Sequence, residues 1–416
     1  MRWRDRAEEW LRRGRWVALL ALLVVAGVLA YRLGWRDSRL GDTQYYVKGA
    51  QLYVDGGDLY WQPGEPRRNT SYTYPPPFAV ASTWMLVLPY RVVRLVWLAL
   101  MLACSGASLW LAWRYARARP PPPAHSALIL ALTVALVARF WLNDLAHGQS
   151  NWLITFLLLA GLCAARSERA SHHVAGGCVL ALALAIKPTA WLLLPWFLVV
   201  QPRPRLVGAC LLTLVVVLAL PGLRYGPTGY AHQIGDWVEL MGAFADRSVL
   251  NPGNVSLSSS ITRLACGVET GPDQFPAIWG SLPTATVMPW ARGLSAVFLL
   301  GVGLVLWRRC AHKPEAPAAV LLLGMLLSPV TWKAHLTLLV LPGAVVARGL
   351  LADDAGWGSR LAFGAALACL LVGSRGLFGW SSFEHAGGMT LGVLILLGLL
   401  VHVLAKPPAE PEETPS

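Results

Sequence analysis

The sequence predicts an all-α polytopic membrane protein, a bundle of about 12 transmembrane segments. Three observations carry that expectation. Hydrophobic residues make up 56% of the 416-residue chain and charged residues only 14%, whereas a soluble domain carries about 25% charged residues. Stretches free of Asp, Glu, Lys and Arg recur along the chain, many of them near the ~17–25 residues that a span needs. Basic residues gather in short runs between those stretches, as they do in cytoplasmic loops.

The charge-free stretches fall at 16–30, 95–112, 126–138, 152–165, 174–186, 189–202, 206–223, 293–306, 316–332, 334–347, 361–374 and 386–404. The first has the outline of a secretory signal, with a basic run from Arg2 to Arg15, an apolar run from Trp16 to Leu29, and Ala30 as a cleavage residue. It reads instead as an uncleaved first span, because the later spans need no separate export signal. With the basic N-terminus inside, the inner loops carry Arg114, Arg117 and Arg119, then Arg166 and Arg169, Arg203 and Arg205, Arg308, Arg309 and Lys313, and Arg348 and Arg360. Merging 174–202 into one helix would move two of these clusters outside, so two short segments are expected on either side of Lys187-Pro188. Both termini are then cytoplasmic. Residues 1–405 are expected to form one domain and 406–416 a disordered cytoplasmic tail. Pro120 to Pro123 reads as a stiff inner loop.

The formal net charge of +13 follows from this orientation. No aromatic-and-basic module accompanies it, so nucleic acid is excluded as a partner and the lipid bilayer is the expected surrounding. Of the seven cysteines, Cys104, Cys163, Cys178, Cys210 and Cys369 sit in apolar runs as small packing residues. Without a Cys-x-x-Cys pair, neither a zinc framework nor a disulfide framework is expected.

The outer loops differ in character from the inner ones. The first, about 35–94, opens with Asp42 and carries Tyr45, Tyr46, Tyr53, Tyr60, Tyr72 and Tyr74 before Pro75-Pro76-Pro77. Its apolar run from Phe78 to Pro89 is short for a span and fits an interfacial or re-entrant segment. The second loop reads Asn143 to Asn151, and the third is Lys187-Pro188. The fourth is a long loop over 224–291, the fifth runs from Ser328 to His335, and the sixth holds Glu384-His385.

Polar residues collect in these loops while the spans stay clean. That pattern suits an active site at a membrane interface better than a conduction path. Asp42 is either a general base or the N-cap of the helix that begins after it. Lys187 either faces an anion or snorkels to the headgroups. Gln149 and Asn151 either bind sugar hydroxyls or cap the helix starting near Trp152. Trp332 is a sugar platform or an interface aromatic, and His335 a ligand or a structural hydrogen-bonding residue. Asp144 with His147 would supply only two metal ligands, which is too few to define a site.

The segments Asp42…Tyr45-Tyr46…Gly57-x-Leu59-Tyr60…Tyr74-Pro75-Pro76, Gly148-Gln149-x-Asn151, Lys187-Pro188, Asn254-x-Ser256 and Ser328-Pro329-x-x-Trp332-x-x-His335 occur in this order over about residues 16–350. Together they resemble glycosyltransferase family 87, the polyprenol-phosphate-mannose-dependent mannosyltransferases of the GT-C superfamily. The resemblance implies a GT-C-like bundle with amphipathic or interfacial helices in the first outer loop. It implies hexose transfer, in the family's manner mannose, from a polyprenyl-phosphate donor to a glycolipid or glycan hydroxyl. The transfer would occur on the outer face of a bacterial inner membrane, with inversion. Asp42 then takes the catalytic base position. Lys187, His335, Lys333, Trp332, Gln149 and Asn151 are the donor-site candidates. Tyr45, Tyr74, Asn254, Ser256 and Arg263 are acceptor or loop contacts, although Arg263 has no assignment from its surroundings alone.

One departure stands out. The family commonly has two adjacent histidines where this chain has Ala334-His335, so Lys333 is a candidate to replace the missing charge. No cofactor is expected, and metal dependence stays open. The competing readings are a lipid or solute transporter, which needs polar groups through the bilayer depth, and a non-catalytic scaffold, which needs no polar clustering.

Overall fold

The computed structural model describes Glu9 and residues 41–61, 72–117, 125–270, 273–275, 282–351, 355–372 and 381–406. The stretch at 16–30, the run Pro120 to Pro123 and residues 407–416 lie outside these. The described chain is helical apart from a two-stranded hairpin, β1 (Val268–Thr270) with β2 (Asp273–Phe275), paired antiparallel.

The described part of the first loop is helical where the amphipathic pattern begins. It contains α1 (Thr43–Asp55), α2 (Pro76–Ala81) and a 3-10 turn at Thr83–Leu86. The bundle follows with α3 (Tyr90–Ala116), α4 (Ser126–His147), α5 (Asn151–Ala165) and α6 (Ala170–Ile186). After a break come α7 (Pro204–Ala219), α8 (Gly222–Ser248), α9 (Leu257–Cys266) and α10 (Thr284–Cys310). The last helices are α11 (Pro317–Leu327), a 3-10 turn at Lys333–Leu339 running into α12 (Val340–Leu351), α13 (Trp357–Val372), α14 (Ser381–His385) and α15 (Gly388–Ala405).

Five helices are long and apolar enough to cross a bilayer: α3, α4, α10, the continuous stretch Lys333–Leu351, and α15. A sixth appears if α7 and α8, which meet at a 92° bend, are one broken span. Helices α5, α6, α11 and α13 are apolar but shorter. The stretch Lys333–Leu351 is 89% buried and sits at the centre, whereas α10 is 22% buried and turns most of its apolar surface outward. A helix apolar on every side belongs either in a core or against lipid, and this chain uses both places.

The break expected at Lys187-Pro188 is present, and the chain departs from the simple pattern of spans in three other places. Helix α6 ends at Ile186 because Pro188 crowds the residue before it, leaving Lys187 extended at φ −148°, ψ 117°. The segment that follows is not one regular helix but a 3-10 turn at Pro188–Ala190, a short helical turn at Leu193–Pro195 and a π-type turn at Trp196–Val200. The stretch expected at 316–332 stops at Leu327, because Ser328 precedes Pro329 and takes ψ 136°. The region expected as a loop over 224–291 is largely helical, holding most of α8, all of α9 and the start of α10.

The tightest helix contact lies between α6 and α7. A Cβ built at Gly177 would stand 2.2 Å from the backbone oxygen of Leu206, an atom that cannot move aside without bending α7. Small residues let membrane helices approach this closely. Gly177→Ala is therefore expected to cost about 1–3 kcal/mol by overpacking, read as a lower melting temperature of the detergent-solubilised protein. An unchanged melting temperature would mean that the two backbones do not pack this closely.

Candidate active site

The polar loops meet at one end of the bundle around a cavity of about 640 Å³. Its polar wall holds Asp42, Gln149, Asn151, Lys187 and His335, with Tyr74 beside them. Its apolar wall includes Trp191, Trp237, Met241, Phe244, Leu327 and Trp332. These residues come from six separate stretches of chain, so each needs its own positioning device.

Asp42 is set by a corner at the end of α4. Gly148 adopts the left-handed φ of 61°, which ends α4 and turns the chain toward α5. Its carbonyl accepts a bond from Trp97 Nε1 at 2.9 Å, and the neighbouring His147 carbonyl accepts the Asp42 backbone N–H at 2.7 Å. The start of α1 is thereby fastened to the end of α4. Asp42 occupies the N-cap position of α1, yet its side chain makes no capping hydrogen bond. The carboxylate is left for the cavity. Burial pushes its pKa above the ordinary carboxylate value, while Lys187, His147 and the Gln149 amide pull it back.

Lys187 is aimed by the proline after it. Its Nζ donates to Asn151 Oδ1 at 2.9 Å, lies 3.3 Å from His335 Nε2, and sits 5.2 Å from the centre of the Tyr74 ring. Asn151 is held in turn, because its Nδ2 donates to Asp144 Oδ1 at 2.6 Å and to Gln149 Oε1 at 3.3 Å. The amide is thus oriented with its oxygen toward the ammonium. Asp144 is fully buried and serves this network. His147 is exposed and bonds to the Asn143 carbonyl instead, so the two do not form a metal pair. Tyr74 is fixed by hydroxyl contacts at 3.1 Å to both Tyr46 and Ser150.

Trp332 and His335 stand on a loop clamped to a second loop. The Val255 N–H donates to the Thr331 carbonyl at 2.7 Å, and the Lys333 N–H to the Gly253 carbonyl at 3.1 Å. Asn254 Nδ2 donates to the Pro329 carbonyl at 3.1 Å, while its Oδ1 accepts the Thr331 N–H at 3.0 Å. Ser256 caps α9 by accepting the Ser259 N–H at 3.3 Å. Arg263, 1% exposed, donates to the carbonyls of Asn251, Asn254 and His385 and to the hydroxyls of Ser259 and Ser260. Trp332 then packs on Phe244, with ring centres 5.9 Å apart.

Several residues expected at the site lie off the cavity wall. Asn254, Ser256 and Arg263 hold the loop that carries Trp332. Tyr45 is partly buried on α1, while its neighbour Tyr46 turns inward to Tyr74. Lys333 points away, its Nζ 4.0 Å from the buried Glu384 carboxylate, so it does not supply a cation where the histidine is missing. Conversely, Thr73, Trp237, Met241 and Phe244 line the cavity without having been singled out. Trp237, Met241 and Phe244 recur at i, i+4 and i+7, a one-faced helical spacing that the sequence does show.

The family model described as Glycosyltransferase family 87 matches residues 72–342. No curated protein matches the chain. Among solved structures, ArnT from Cupriavidus metallidurans bound to undecaprenyl phosphate is 15% identical, with a TM-score of 0.43, covering 94% of this chain and 78% of that one. The same protein in the apo state is 16% identical, with a TM-score of 0.40, covering 95% and 78%.

Arg263 is the most connected of the supporting residues. A lysine has no planar fork with which to reach these five acceptors, so Arg263→Lys leaves buried carbonyls unmet at about 1–3 kcal/mol each. The variant is expected to melt earlier and to lose turnover through a loosened Trp332 loop. If its melting temperature and turnover match those of the wild type, the clamp is not needed.

Proposed function

The chain belongs to glycosyltransferase family 87 and is a membrane glycosyltransferase that uses polyprenyl-phosphate-linked sugar, and on that premise we propose that it moves a hexose, in the family's manner mannose, to a glycolipid or glycan hydroxyl with inversion. In this reading about a dozen segments cross a bacterial inner membrane, both termini are cytoplasmic, and the cavity opens at the outer face. One observation carries the proposal. A carboxylate at Asp42 that makes no capping bond and a held ammonium at Lys187 share a cavity that is polar on one side and apolar on the other. An amphiphile with a phosphate between sugar and hydrocarbon matches that division.

The chemistry follows from the charges. Asp42 removes the proton of the acceptor hydroxyl as its oxygen attacks the anomeric carbon. The bond from that carbon to the phosphate oxygen breaks, and the lipid phosphate leaves as an anion needing little acid assistance. It needs positive charge where negative charge develops. Lys187 supplies this by exchanging the Asn151 oxygen for a phosphate oxygen, while His335 Nε2 stands 3.3 Å from the ammonium as a neutral acceptor. Trp332 and Phe244 present aromatic faces for the sugar and lipid. Gln149 and Asn151 supply amide groups for sugar hydroxyls.

Asp42→Asn tests the base directly. Asparagine keeps the shape and any helix-cap capacity but cannot take the proton. Transfer from a labelled polyprenyl-phosphate sugar is expected to fall by about 10² or more, equivalent to about 2.7 kcal/mol of transition-state free energy. Near-normal transfer would remove Asp42 from the chemistry.

The pH profile gives a second test. A base acts when deprotonated, so the rate rises with pH through the pKa of Asp42. Burial raises that pKa, which places the acidic limb above the usual carboxylate range. Lys187 pulls it down, so Lys187→Met should weaken donor use and also move the limb to higher pH. A limb that stays in place in Lys187→Met would uncouple the two groups.

A further inference from the structure

Away from the polar wall of the cavity, three side chains from distant parts of the sequence come together at the seam between the first loop and α8. One ligand atom from each of Asp58, His232 and Asp236 lies within 4.8 Å of the others. His232 and Asp236 are one turn apart on α8, with Nε2 and Oδ2 separated by 3.2 Å. Asp58 is brought to them by a tight turn. Its Oδ1 accepts the N–H groups of Tyr60 and Trp61 at 2.9 and 3.0 Å, and the Leu59 N–H inside that turn donates to Gln233 Oε1 at 3.0 Å. The turn is therefore pinned to α8 at the residue next to His232.

Asp236 is the independent sign that something belongs here. It is 8% exposed, and its Oδ2, aimed at the cluster, makes no hydrogen bond and stands 3.2 Å from the exposed His232 ring, which pairs with it only when protonated. A buried carboxylate oxygen left unsatisfied is costly, and a second carboxylate nearby adds repulsion. A dication removes both costs. We propose that Asp58, His232 and Asp236 form a binding site for a divalent transition-metal cation. One imidazole and two carboxylates suit Zn²⁺ or Mn²⁺. Ligand bonds of ~2.0–2.2 Å in tetrahedral geometry put ligand atoms roughly 3.4 Å apart. His232 and Asp236 already meet that spacing, and the third ligand closes on the ion by a small rotation.

The position gives the ion a structural task. Trp237 follows Asp236 directly and lines the cavity, and its Nε1 donates to the Thr73 carbonyl beside Tyr74 at 3.2 Å. Tyr225 Oη donates to the Gly57 carbonyl at 2.9 Å on the other side of the cluster. A bound cation would fasten the first loop to α8 between these two bonds, and so hold one wall of the cavity against the other.

The test uses the full chain purified in detergent and stripped with a chelator. Titration with Zn²⁺, and separately with Mn²⁺, is followed by calorimetry and by thermal melting. The expected result is one equivalent bound and a raised melting temperature for at least one of the ions. His232→Ala and Asp236→Asn should each weaken binding by about tenfold or more. The His232 side chain is 66% exposed, so its removal leaves the fold intact. Asp42→Asn, altered at the polar wall, should bind the ion as the wild type does. A wild-type protein that binds neither ion stoichiometrically overturns the proposal. Binding that persists unchanged in both His232→Ala and Asp236→Asn also overturns it, as does binding lost in Asp42→Asn.

Discussion

A proline disfavours the helical conformation of the residue before it, and this constraint organises the site. Lys187-Pro188 and Ser328-Pro329 each stop a helix, and Tyr74-Pro75 stands just before one, around the same cavity. In a membrane protein a stopped helix is costly, because its freed carbonyls and amides need partners inside the protein. Here the partners are other stopped segments. The loop after α11 exchanges hydrogen bonds with the loop before α9, and the start of α1 donates one to the end of α4. The breaks that would weaken a span are thus gathered where they satisfy one another, and the polar side chains they release face a common space.

Lys187 shows the consequence for charge. An ammonium in a largely apolar cavity needs compensation, and an ion pair with a carboxylate would give it at the expense of availability. The chain uses a neutral oxygen instead, from Asn151, with the π face of Tyr74 and the Nε2 of His335 nearby. Asp144 accepts from that amide one step behind the ammonium, orienting the oxygen without touching the lysine. Neutral partners give way to an anion more readily than a charged one. Asp42 therefore keeps its carboxylate clear of a capping bond while sharing the cavity with a cation that is already held elsewhere.

Much of this was legible in the sequence because the signals were local. Proline and glycine fixed where segments stop, so Lys187, Gln149, Asn151, Trp332 and His335 were identifiable as polar or aromatic groups at breaks, and all line the cavity. What local signals do not carry is direction. Tyr45 and Tyr46 are adjacent, but a helical step of about 100° turns one inward and leaves the other half exposed. Lys333 and Ala334 are adjacent as well, and the alanine faces the cavity while the lysine reaches Glu384. Asn254, Ser256 and Arg263 form a motif as recognisable as the rest, yet they act by holding a loop. Helix α8 was missed for a different reason. Its polar residues dilute its hydropathy, although Trp237, Met241 and Phe244 share one face.

Ala334 gives the cavity its particular balance. The family commonly places a histidine there, and this chain has a methyl group on the wall instead. Since Lys333 is turned toward Glu384, no neighbour restores the lost ring. Among the described residues that line the cavity, Lys187 is then the one permanently cationic side chain. The attraction between an ammonium and a phosphate at ~4 Å is about 4 kcal/mol at an effective dielectric of 20. Such a contact is strong enough to select a phosphate and weak enough to release it. A site that leans on one ammonium depends correspondingly on how firmly that ammonium is aimed. That dependence explains why so much buried hydrogen bonding, from Asp144 through Asn151 and from Ser150 and Tyr46 through Tyr74, converges on a single side chain.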